Sequence, residues 1–153
     1  MLMITGFVMR LLKIAGASLF QTFGSLLLMV FYLVFSFFLL NDISFRGMFK
    51  KASYVGIGGG NITLGILSGF AFSNVVSAIL FKTMAWHGAG TVLFVSILPL
   101  LMLTVAAVIS FMNRKTGFRK QLLIRCMIYT IVLLVVGLLP EHIFLAMRPG
   151  FSG

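Results

Sequence analysis

Acidic residues are almost missing from this chain: Asp42 and Glu141 are the only two among 153 residues. With the two far apart, paired carboxylate acid–base chemistry has no donor set. Cysteine is nearly absent too. The single Cys126 excludes an intrachain disulfide and any multi-cysteine metal site. Its place inside an apolar run reads as a packed, inert thiol. Charge of either sign is scarce, at 9% of residues, where soluble domains carry about 25%. A soluble core has no use for the 61% of hydrophobic residues, so the bilayer is the solvent.

The charge that is present is basic: twelve Lys and Arg give a net +10. In a soluble protein that balance would point to nucleic acid. Here the basic residues lie between apolar runs and form no stripe interleaved with aromatics, so no nucleic-acid partner is expected. They anchor loops and meet anionic lipid headgroups instead.

Four apolar runs reach the roughly 20 residues that a spanning helix needs. They place transmembrane helices at about 14–40, 62–84, 90–112 and 121–139. The expected fold is all-α: a polytopic integral membrane protein, one membrane domain over 1–153, with short interfacial helices at the N- and C-termini. The N-terminal one covers 1–13, because a helix unbroken from 1 to 40 would be about 60 Å long, twice the hydrocarbon core. The run after it exceeds a signal-peptide core and lacks a small-x-small cleavage site, so it reads as an uncleaved helix. The C-terminal one covers 140–148, where Pro140 and Glu141 suit a helix start. Pro99 falls mid-span in the third segment and predicts a kink.

Lys and Arg count four in the terminal segments and the 82–90 connection, against eight in the 41–61 and 113–125 regions. The positive-inside rule then puts both termini on the non-cytoplasmic side. Base rates favour a bacterial inner membrane.

One span carries a ladder. Asn61, Gly65, Gly69, Ser73 and Ser77 recur every four residues, which places small or polar groups on successive turns. Small residues let helix backbones approach closely in lipid, so the ladder predicts a helix-packing interface. Ala17, Gln21 and Ser25 make the first span its candidate partner. Gly69→Leu is expected to disrupt assembly more than Phe37→Leu. Gln21 and Asn74 are the intramembrane amides and each needs a hydrogen-bonding partner. Glycines 56 and 58–60 read as a loop with close backbone contact, not a phosphate cradle, because no Lys-Ser/Thr pair follows. Arg114, Lys115, Arg119, Lys120 and Arg125 are the expected headgroup or anion contacts. Lys82 ends its span and is expected to snorkel.

Chemistry has few footholds. His87, His142 and Glu141 share the outer face under this topology, where a proton or metal cluster is one reading; both histidines lie at span ends, away from where a bilayer-held haem needs ligands. No cofactor or metal is expected, and no catalytic set emerges.

Two stretches carry a family likeness. Val55-Gly56-Ile57-Gly58-Gly59-Gly60-Asn61 before an apolar span resembles the glycine-Asn entry of the GtrA-like family of membrane proteins. Phe111-Met112-Asn113-Arg114-Lys115, with Phe118 following, resembles that family's Asn-Arg turn. The likeness covers about 55–120, and the chain adds a span upstream. It implies a small oligomeric transporter or flippase of an anionic or lipid-linked substrate. The residues themselves favour another role: a non-catalytic subunit of a larger membrane complex, whose partners are headgroups and other integral membrane subunits.

Overall fold

The computed structural model describes residues 5, 8, 9, 12, 14, 16–41, 43, 46–55, 57–113 and 117–146. Every regular element among them is a helix. The spanning elements are α1 (Ala17–Leu40), α2 (Gly59–Thr83), α3 (Ala89–Asn113) and α4 (Gly117–Leu138), followed by a short α5 (Glu141–Ala146). Two 3-10 turns, Gly47–Phe49 and Lys51–Tyr54, lie between α1 and α2. Four helices are long and apolar enough to cross a membrane. The chain is therefore an all-helical, multi-pass membrane protein.

Local chemistry sets the ends. Gly16 sits at φ +84°, a left-handed conformation that glycine adopts freely, and the chain turns there into α1. At the other end the Asn41 backbone N–H and its side-chain Nδ2 both donate to the Phe37 carbonyl, at 3.2 and 2.8 Å. The turn from α2 to α3 uses positive φ at Ala85 and Gly88. Phe81 and Trp86 pack edge to face beside it, 5.0 Å apart.

Two boundaries differ from the sequence expectation. The glycines at 59 and 60 open α2 rather than ending a loop, and α4 starts at Gly117, four residues early. Backbone near lipid gains more from internal hydrogen bonds than glycine loses in propensity, about 1 kcal/mol relative to alanine. The predicted interfacial helix at 1–13 falls mostly outside the described residues; Thr5, Val8 and Met9 within it are helical. At the other terminus, α5 covers the described part of 140–148.

α2 is the hub. Its apolar window is 56% buried, against 22% for α1, 22% for α3 and 17% for α4. It packs most on α1, then on α3, α4 and α5. The core gathers on its inner side: Phe72, Val75 and Ala78 meet Leu103 and Ala107 of α3 and Cys126 of α4.

Candidate functional site

The seam between α1 and α2 is built from the ladder outward. A Cβ at Gly65 would stand 2.9 Å from Phe37 Cδ2 and 3.1 Å from Phe37 Cα. At Gly69 it would meet the Tyr32 carbonyl oxygen at 2.7 Å and Ser36 Cβ at 3.2 Å. Further along, the Ser77 hydroxyl donates to Met29 Sδ at 3.3 Å and to the Ser73 carbonyl at 3.1 Å. Asn61 lies half-buried in the first turn of α2, its backbone N–H bonded to the Gly58 carbonyl. Gly65, Gly69 and Ser77 thus meet α1. By contrast, Gly58, Gly59 and Gly60 have open space around them, so the close approach expected of the glycine loop occurs inside the helix instead.

Polar side chains extend the same seam. Gln21 Nε2 donates to Thr83 Oγ1 at 2.6 Å, and the Ser36 and Ser68 hydroxyls lie 2.7 Å apart, all four side chains buried. Pairing Gln21 with Thr83 at one end and Phe37 with Gly65 at the other makes the two helices antiparallel. Two buried polar atoms on α1 have no hydrogen-bond partner, Gln21 Oε1 and Ser25 Oγ. Most other hydroxyls fold back on their own helix; Thr104, for example, donates to the Leu100 carbonyl at 2.7 Å.

α4 joins through an aromatic cluster. Tyr129 Oη donates to Tyr32 Oη at 2.5 Å, and the Tyr129 ring stacks on Phe72 with centroids 4.9 Å apart. Tyr32 meets Phe72 edge to face at 5.6 Å. One tyrosine pair thereby ties α1 to α4 across α2.

Two open grooves lie on the outside of the bundle. One of about 520 Å³ runs between α3 and α4, lined by Leu93, Leu100, Leu133 and Gly137 among others. The second, of about 510 Å³, lies between α2 and α3 and is lined by Phe70, Asn74, Val95, Pro99 and Met102. Asn74 does not reach another helix; its Nδ2 donates to the Phe70 carbonyl of its own turn at 2.8 Å.

The basic residues divide. Arg114 and Lys115 lie outside the described residues, and Arg119 stands in the first turn of α4. Lys120 is exposed in that turn, and Arg125 is half-buried further in. Lys82 is 8% exposed, so it is covered by the bundle rather than snorkelling free of it. His87 and His142 are exposed. Among the described residues no three His, Cys, Asp or Glu side chains gather as a metal site.

Sequence reasoning missed Thr83, Ser36, Ser68 and the Tyr32–Tyr129 pair. Each was visible as a hydroxyl inside an apolar span, where it needs a partner. Which partner depended on helix register. No protein-family model, no curated protein and no solved structure matches the chain.

Proposed function

We propose that this protein is a non-catalytic subunit of a larger membrane complex, acting as a helix-packing or assembly component. What carries the reading is the use of polar groups at bilayer depth. Gln21 with Thr83, Ser36 with Ser68, and Tyr32 with Tyr129 bond helix to helix. Groups arranged this way hold a scaffold together; they do not present a nucleophile, an acid–base pair or an ion path to a cavity. The two outer grooves are walled almost wholly by apolar side chains. Broad apolar faces on α1, α3 and α4 leave room for neighbouring subunits as well as lipid.

The same proposal places the chain in a bacterial inner membrane with both termini on the non-cytoplasmic side. Lys120 and Arg125, with Arg114, Lys115 and Arg119, then meet anionic headgroups on the cytoplasmic face.

Reconstitution tests it. The purified chain in liposomes should transport neither anions nor lipid-linked sugars. It should also melt at a lower temperature than the chain extracted from native membranes with its neighbours. A chain that is equally stable alone and moves such a substrate would overturn the subunit reading in favour of the flippase.

A further inference from the structure

Phe49 and Val55, at 84% and 82%, are the most exposed large apolar side chains among the described residues. Neither lies on a spanning helix. Phe49 ends the first 3-10 turn between α1 and α2, and Val55 follows the second.

This connection is held down at the end of the spans. The Tyr54 ring stacks on Phe37 in the last turn of α1, with centroids 6.4 Å apart and planes 4° from parallel. It meets Phe38 edge to face at the same distance. Tyr54 is thereby set at span-end depth, where tyrosines gather at a bilayer surface. The backbone also bonds to itself: the Lys50 N–H donates to the Gly47 carbonyl at 2.9 Å, Ser53 to Lys50 at 3.0 Å and Ile57 to Tyr54 at 3.3 Å. Chain that carries its own hydrogen bonds loses little where water thins out.

Charge identifies what lies against it. Arg46 and Lys50 are exposed on either side of the first turn, and no acidic residue occurs between Asp42 and Glu141. Because the spans alternate in direction, the α3–α4 connection emerges at this same end, where Lys120 is exposed too. Among the described residues, every exposed Lys or Arg stands at this end. Cations flanking exposed apolar side chains match an anionic lipid surface, phosphates for the one and upper acyl carbons for the other.

We propose that residues 46–55 form an anionic-lipid docking segment, with Phe49 and Val55 inserted below the headgroups that Arg46 and Lys50 bind. The docking goes beyond the subunit role and does not rest on it, because headgroups are present with or without neighbouring chains.

Trp86 is the sole tryptophan, so Phe49→Trp in a Trp86→Phe background gives the full chain one reporter. In vesicles of phosphatidylglycerol and phosphatidylethanolamine, lipids brominated on upper acyl carbons should quench it. Quenching should fall about twofold or more when phosphatidylcholine replaces phosphatidylglycerol, and likewise when Arg46→Gln and Lys50→Gln are added. Ile131→Trp, at a side chain 58% exposed on α4, reports insertion and should be quenched alike in every case. With that control quenched, water-like emission from position 49 overturns the proposal. So does quenching indifferent to the headgroup or to the two substitutions. In native membranes, a photo-crosslinking amino acid at Val55 should give lipid adducts, and adducts to protein in their place would also overturn it.

Discussion

The Gly69 backbone of α2 lies against the Tyr32 carbonyl of α1, so close that a Cβ at position 69 would stand 2.7 Å from that oxygen. A backbone oxygen in a helix has nowhere to move. At Gly65 the nearest atom is Cδ2 of Phe37, at 2.9 Å, a ring edge with more freedom, and the nearest backbone atom, Phe37 Cα, stands farther off at 3.1 Å.

These two positions should therefore rank differently. Gly69→Ala is expected to destabilise more than Gly65→Ala, and Gly69→Leu by about 3 kcal/mol or more, in the range of severe overpacking. Phe37→Leu does not serve as the neutral comparison, because Phe37 is the residue seated on Gly65. Phe23→Leu replaces it, at a side chain 68% exposed. Thermal unfolding in detergent reads the order; equal tolerance at 69 and 23 would remove the glycine seam from the account.

Tyr32 and Tyr129 share one hydroxyl-to-hydroxyl bond between α1 and α4. Tyr129→Phe should cost about 0.6–1.7 kcal/mol, the range for hydrogen bonds between membrane helices. The double variant Tyr32→Phe with Tyr129→Phe should cost less than the sum of the singles, because each single strands the other hydroxyl. A double-mutant cycle checks this, and strict additivity would mean that the hydroxyls do not interact.

Gln21 and Ser25 make an internal contrast one turn apart on α1. Ser25 Oγ is buried without a partner, so Ser25→Ala should be neutral or stabilising. Thr83→Val removes the acceptor of the Gln21 amide and should destabilise by about 1 kcal/mol. Melting temperatures of the two variants should move in opposite directions or differ clearly; a larger loss at Ser25 would contradict the bonding pattern.

The turn after α2 holds Ala85 at φ +49°, where a Cβ is strained. Ala85→Gly should raise stability by about 1 kcal/mol, after allowing for the greater freedom of glycine in the unfolded chain. Thermal unfolding again decides, and a fall in stability would show that the alanine side chain is needed there.

Much of this architecture was legible in the sequence because lipid imposes simple rules. Run length located four spans, and i+4 spacing located Gly65 and Gly69. The same rule offered the first span only as a candidate partner, through Ala17, Gln21 and Ser25; the structure seats Gly65 and Gly69 on that helix, at Phe37, Tyr32 and Ser36. Periodicity, however, gives a face and not a register. It could not pair Gln21 with Thr83, nor bring Tyr32 to Tyr129 across 97 residues. Asn74 shows the same limit from the other side. Its amide was legible as a group needing a partner, while its position on an outer groove depended on how α3 leans on α2. The glycine loop misled because glycine signals both freedom and close approach. At Gly58 to Gly60 there is open space; at Gly69 there is a carbonyl.

Affinity purification of the tagged chain from its native membrane in mild detergent, with quantitative mass spectrometry of all bound proteins, tests the subunit role most directly. The account predicts other integral membrane proteins in a fixed ratio to this chain. Recovery of the chain with copies of itself alone, intact and stable, would contradict it.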